Sequence, residues 1–288
     1  MRKNTRATLV FVSGQSNAHA HGQLLAPAQR ITAPLRHVFA LDRDPNQSFT
    51  EEDVVWSGFT TAGKNLGETQ DHTASLLYWL ALLWENAVES GAPLPDLYTV
   101  QISVGSQGIV NGMWNPDRER TLVPGPLGTA NIALFPLALH VNRLALRNLE
   151  RAGLSPEVIG WHWLGCEQDV WDDTYRRADL PARYDAFFDA MRDSMGVGVP
   201  TYLYKLYLEA FCRDWGIAPE ANETINHELR RQCERRPGVT LVRAEDSPLW
   251  DPGAPNRGVF APDNGHYLAA VQRFYAERFF DEVTSSCG

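Results

Sequence analysis

The stretch Thr8-Leu9-Val10-Phe11-Val12-Ser13-Gly14-Gln15-Ser16-Asn17-Ala18-His19 decides how this chain is read. Leu9 to Val12 are apolar and rich in valine, the pattern of a buried strand. Gly14 then permits a sharp turn. Ser16 falls just past the C-terminal edge of that strand, where open α/β sheets bind ligands. Amides of the following segment can point at an anion there. The same residues also read as a strand, a turn and a capping serine with no chemistry attached. The rest of the sequence separates the two readings.

Working outward, four further apolar runs read as strands: His37–Asp42, Leu97–Val104, Val158–Leu164 and Pro200–Tyr207. A last short one covers Val239–Ala244. Helical spacing predicts helices over Thr73–Glu89 (with Thr73 as N-cap), Ala130–Ala152, 180–195, Pro219–Arg235 and His266–Val283. Pro136 is placed to kink the first turns of the second. Residues 43–72, 115–128 and 246–265 carry turn residues without clear periodicity and read as loops. Strands alternating with helices imply a mostly parallel sheet covered on both faces. With no repeat and no linker, residues 1–288 read as a single domain. The long loops gather on one rim, at the strand C-termini.

A hydrophobic content of 44% with 21% charged residues suits a globular chain. The net charge of −9 argues against nucleic acid as a partner, which needs clustered Lys and Arg to neutralise phosphates. No apolar run matches a signal peptide or a membrane span, so the expectation is a cytoplasmic or virion-associated protein without membrane contact. The four cysteines, Cys166, Cys212, Cys233 and Cys287, are widely spaced and lack a CxxC pair. That spacing excludes a zinc ribbon and is too sparse for a disulfide scaffold, leaving free thiols.

Three strand ends bring polar residues to the rim: Ser16, Gly105-Ser106-Gln107-Gly108, and Gly165-Cys166-Glu167-Gln168-Asp169. A fourth contribution is Asp263-Asn264-Gly265-His266. At a spacing of three, a carboxylate can reach the ring nitrogen of its own histidine. A histidine so oriented is what a weakly nucleophilic serine needs, to take its proton and later return it. Alone, this motif reads equally as a capping aspartate and a solvated histidine.

Taken together and in this order, the blocks resemble the SGNH hydrolases, and within them the sialate O-acetylesterase and acetylxylan esterase group, carbohydrate esterase family six. The residues carrying the resemblance are Gly14-Gln15-Ser16-Asn17, the Gly105–Gly108 turn with Trp114 beyond it, Trp163-Leu-Gly-Cys-Glu167-Gln-Asp169, and Asp263 to His266. It spans nearly the whole chain. It implies a three-layer α/β/α sandwich around a mostly parallel five-stranded sheet of flavodoxin-like type. It also implies Ser16 as nucleophile, His266 as general base and acid, and Asp263 as the residue orienting His266. The backbone N–H groups of Ser16 and of the Gly105-Ser106 turn would hold the oxyanion. Gln15, Asn17, Gln107, Trp114, Glu167 and Gln168 would contact substrate or support the site. The implied activity is removal of O-acetyl or other short acyl groups from a carbohydrate through an acyl-enzyme, with no cofactor and no metal.

The third block departs from the family, which has a glutamine donor where this chain has Gly165. Gln168, Gln107 and Asn111 are the candidates to replace it. Glu167 and Asp169 read as acceptors that orient loops, with the Gly14–Asn17 turn as their target. Trp56, Trp114, Trp171 and Trp215 could stack on sugar faces, Trp114 foremost, while Trp161 and Trp163 read as core. His19 and His21, with His72 or His162, suggest a metal site, but no carboxylate sits at a ligand spacing nearby, and they read instead as polar rim residues or substrate contacts. Cys166 follows an apolar strand without a basic neighbour and reads as a buried thiol. The Arg230–Arg236 cluster reads as a solvated helix end. Rival readings are an esterase of the same fold acting on a non-sugar ester, a catalytically weakened carbohydrate-binding or structural module, and a metal-dependent hydrolase.

Overall fold

The computed structural model describes residues 6–41, 54–62, 66–67, 72–117, 133–171, 173–254 and 258–285. In chain order the strands are β1 (Arg6–Gly14), β2 (Val38–Leu41), β3 (Trp56–Gly58), β4 (Leu66–Gly67), β5 (Leu97–Ser103), β6 (Ser155–Leu164), β7 (Thr201–Tyr204) and β8 (Val239–Val242). The helices are α1 (Leu76–Glu89), α2 (Leu134–Arg151), α3 (Leu180–Met195), α4 (Glu209–Asp214), α5 (Glu220–Arg235) and α6 (Ala269–Ser285).

The strands form one sheet in the order β3-β2-β5-β1-β6-β7-β8, with β4 paired to the end of β5. Every pairing is parallel except β2 with β3. β1 is central, which explains its unbroken apolar run: both its faces are covered. Leu9 and Phe11 point to the layer of α2, α3 and α5, while Val10 and Val12 point to α1 and α6. All four side chains are buried, each contributing roughly 1.5–3 kcal/mol by leaving water. The three layers are those expected. The sheet has eight strands rather than five: all six apolar runs read as strands take part, joined by β3 and β4. The extra pieces β3 and β4 lie in the 43–72 stretch read as loop, and at three and two residues they are too short to show alternation.

Other boundaries move for identifiable reasons. The N-cap of α1 is Ser75, whose hydroxyl accepts the Tyr78 N–H; Thr73 instead donates to the His19 carbonyl at 2.6 Å. Pro136 sits within the first turn of α2, where its missing N–H costs no helical bond. β7 stops at Tyr204 because Asn226 takes both the N–H and the carbonyl of Leu206, at 2.8 Å each. α4, absent from the sequence reading, follows directly. α6 starts at Ala269, so His266 lies before it. His266 instead ends a tight turn, 261–266, closed by the Ala261 N–H on the His266 carbonyl and flanked by the Phe260–Tyr267 bridge and the Leu268 N–H on the Val259 carbonyl. Residues 118–132, which cover most of the 115–128 loop and the start of the second predicted helix, lie outside the described residues.

The Arg230–Arg236 segment is not simply solvated. Arg231, Arg235 and Arg236 pair with Asp185, and Arg236 also with Asp189, tying α5 to α3. Among the described residues no helix is long and apolar enough to cross a membrane.

Candidate active site

The C-terminal ends of β1, β5 and β6 lie side by side, so their three turns meet on one rim. Gly14 closes β1 at φ +145°, and a Cβ there would stand 1.9 Å from the Leu164 carbonyl oxygen. Only glycine allows that approach. The Gln15 N–H then bonds the same carbonyl at 2.9 Å, and Ser16 follows at the rim, half-buried.

Asn17 is 2% exposed, and its side chain joins three separate chain segments. Its Nδ2 donates to Glu167 Oε1 at 2.7 Å and to the Gly265 carbonyl at 3.0 Å. Its Oδ1 accepts the Tyr267 N–H at 2.9 Å. Its own carbonyl accepts from Gln272 Nε2 at 2.8 Å. Asn17 thus acts as a clasp beside Ser16 rather than as a free substrate contact.

Glu167 and Asp169 both accept hydrogen bonds, on different turns. Glu167 serves the Ser16 turn through Asn17. Burial pushes its carboxyl up, offset in part by the Asn17 donor. Asp169 serves the second turn: Oδ2 accepts the Ile109 N–H at 3.1 Å and Oδ1 the Val110 N–H at 3.0 Å, while Tyr184 donates its hydroxyl to Oδ2 at 3.0 Å. Burial raises the Asp169 carboxyl to about 6 against these donors. Gly108 makes the clamp possible, since a Cβ there would lie 2.2 Å from Asp169 Oδ1. Ser106 sits in the same turn with φ +57°.

In the third block a side chain at position 165 has no room. A Cβ there would stand 2.8 Å from the Trp163 ring, which fills the space a glutamine would need. Cys166 takes φ +84°, is buried, and accepts the Trp163 indole N–H at 3.1 Å. Burial pushes its thiol well up, so it is a neutral packing group. Cys212 and Cys233 are free thiols as well.

Asp263 and His266 form a tight local pair. Asp263 Oδ2 lies 2.6 Å from His266 Nδ1, and Oδ1 accepts the N–H groups of Gly265 and His266 at 3.0 Å each. Burial raises the Asp263 carboxyl, but the Gly265 and His266 donors outweigh it and hold it below the ordinary range. Facing a carboxylate, Nδ1 must carry the proton, which leaves the lone pair on Nε2.

Ser16 and His266 line one open cleft of about 170 Å³, together with Gln15, Asn17, Ser106, Glu167, Gln168, Trp171, Leu208, Phe211 and Gly265. Of the candidates to replace the missing donor, only Gln168 lines it. Gln107 turns inward, its Oε1 accepting the Met113 N–H, and Asn111 donates to Thr174. Trp114 does not reach the cleft. It is 0% exposed, donates to the Gly14 carbonyl at 3.1 Å and packs edge-on against Trp163, so it braces the Ser16 turn from below. Trp56 bonds Asn148 on α2, away from the rim. Leu208 and Phe211 carried no sequence signal, because α4 has no periodicity to read. The His21 ring lies 5.2 Å from that of His266. Among the described residues no group of three or more His, Cys, Asp or Glu is placed to hold a metal.

No protein-family model and no curated protein sequence matches this chain. Solved structures do. NanS superposes with a TM-score of 0.65 at 16% identity, covering 99% of this chain and 98% of its own. The fold is that of the SGNH hydrolases. A protein of Arabidopsis thaliana gives a TM-score of 0.56 at 12% identity over 97% of this chain and 98% of its own. A carbohydrate acetylesterase from Xanthomonas citri gives 0.50 at 15% identity over 96% of this chain and 57% of its own.

Proposed function

We propose that this chain is a serine esterase that removes O-acetyl or other short acyl groups from a carbohydrate. The observation that carries the reading is the 2.6 Å pair of Asp263 and His266 on the same cleft as Ser16. The carbohydrate acetylesterase among the structures of similar fold supports the substrate class.

Ser16 Oγ attacks the acyl carbonyl while His266 Nε2 takes its proton. Asp263 holds the ring in the tautomer this requires and stabilises the imidazolium that forms. The N–H groups of Ser16 and of the Gly105-Ser106 turn receive the oxyanion, and the Gln168 amide stands in for the donor that Gly165 cannot supply. His266 returns the proton to the leaving sugar hydroxyl, leaving an acyl-enzyme. Water, deprotonated by the same Nε2, then releases the acid and restores Ser16. The scheme calls on no metal or organic cofactor.

The test is hydrolysis of a chromogenic acetate ester by wild type and Ser16→Ala. The variant loses nearly all the wild-type rate; equal rates from both proteins would remove Ser16 as nucleophile. The Gly165 departure also favours a second reading, a binding module with weakened catalysis. Wild type inactive on both the chromogenic ester and acetylated sugars would establish that one instead.

A further inference from the structure

Two features of the cleft take no part in the acyl chemistry above. The first is aromatic. Trp171 and Phe211 line the cleft, and Trp215, just beyond α4, lies against both, with ring centroids 5.9 and 6.0 Å away. Trp215 is 63% exposed and is the only exposed Phe, Tyr or Trp among the described residues. Burying such a ring in the core would be the ordinary outcome. Here it continues an apolar surface out of the cleft that holds Ser16.

The second feature is polar. Gln15, which is buried, and Glu167, which is half-buried, line the same cleft, and the buried oxygens Gln15 Oε1 and Glu167 Oε2 have no hydrogen-bond partner. Asn17 occupies only the other oxygen of Glu167. A buried acceptor without a partner is costly, and a hydroxyl donor that enters the cleft beside it relieves that cost. The alcohol part of a simple aliphatic ester has none to give. A pyranose does: its hydroxyls lie around the ring edge, and its C–H faces are flat and apolar enough to cover an indole.

We propose that Trp171, Phe211 and Trp215 form a platform for the sugar rings of the substrate. Gln15 and Glu167 accept hydrogen bonds from hydroxyls of the esterified ring. Trp215 carries the next sugar unit outward, so the preferred substrate is an acetylated oligosaccharide rather than a monosaccharide. This inference rests on the esterase reading and deepens it.

The Ser16→Ala protein, which would bind without turnover, is titrated with acetylated xylo-oligosaccharides of two to four units and with O-acetylated sialyllactose, followed by calorimetry and tryptophan fluorescence. At least one ligand binds and quenches the emission. Adding Trp215→Ala weakens that affinity about tenfold, while Trp215→Phe, which keeps an aromatic face, stays within about threefold. The melting temperature of each variant, measured alongside, stays at that of Ser16→Ala, since Trp215 is largely in solvent. Unchanged affinity in Trp215→Ala, or no binding by any of these sugars, overturns the platform. The chromogenic acetate reports separately on Ser16. Hydrolysis without sugar binding removes the platform alone, and Trp215-dependent binding without hydrolysis removes the esterase reading alone.

Discussion

Asn17→Ala tests whether one buried amide holds the site together. The side chain has three bonds to segments about 150 and 250 residues away: to Glu167, to the Gly265 carbonyl and from the Tyr267 N–H. Truncation takes the donor from a buried carboxyl whose second oxygen already lacks a partner, at about 1.5–3 kcal/mol. It also orphans the buried Tyr267 N–H, at about 1–3 kcal/mol. The expected loss is about 3–5 kcal/mol, a large share of the roughly 5–15 kcal/mol that stabilises an ordinary domain. Rate suffers independently of stability. Asn17 adjoins Ser16 and grips the residue before His266, so its loss frees the two reacting groups to drift apart, at about 100-fold in kcat/KM per ångström of misplacement. Urea unfolding followed by tryptophan fluorescence reads the first effect, and hydrolysis of a chromogenic acetate well below the unfolding midpoint reads the second. Asn17→Asp serves as comparator: it keeps an acceptor for Tyr267 but sets a carboxylate against Glu167, so its defect eases as pH falls. An alanine variant within about 1 kcal/mol of wild type, with kcat/KM within about threefold, refutes the clasp.

Gly14→Ala drives a Cβ into the Leu164 carbonyl at a φ alanine avoids; it costs more than about 3 kcal/mol or yields insoluble protein, and a normal urea midpoint would contradict the turn geometry. Gln168→Ala lowers kcat on the chromogenic acetate about 100-fold with little change in KM if its amide serves the oxyanion; a rate within threefold assigns that donor elsewhere. Asp169 gives a pH prediction. Its folded carboxyl titrates at about 6 against an ordinary 3.8, so it favours the folded state fully below the ordinary value and that contribution is lost as pH rises through about 6. That difference is worth about 3 kcal/mol. Asp169→Asn therefore gains about 3 kcal/mol on wild type between about pH 4 and about pH 7, over a constant penalty for the lost acceptor; parallel stability curves would refute this.

The central strand, its glycine turn and the Asp263–His266 pair were legible because each is local. A four-residue apolar run shows burial on both faces, and a spacing of three lets a carboxylate meet its own histidine ring. The sheet's extra strands were not legible, because β3 and β4 are held by pairing with β2 and β5 and not by any pattern of their own. Trp114 illustrates the same limit. Its place near the Gly105–Gly108 turn suggested a ligand contact, but nothing local tells whether an indole beside a turn faces the cleft or the core. Packing against Trp163 and the Gly14 carbonyl decides that it faces inward.

By itself, then, the sequence determined the layer order of the fold, the serine at the first strand end, and a histidine oriented by its own carboxylate. These depend on periodicity and short spacing, which chain order preserves. Only the tertiary structure decided that Asn17 clasps three segments, that Trp163 fills the space a glutamine at 165 would need, that Gln168 alone of the replacement donors lines the cleft, and that the aromatic wall comes from Trp171, Phe211 and Trp215. Those depend on which residues distant in the chain share a volume, and that follows from how the sheet and helices pack, which no local pattern records.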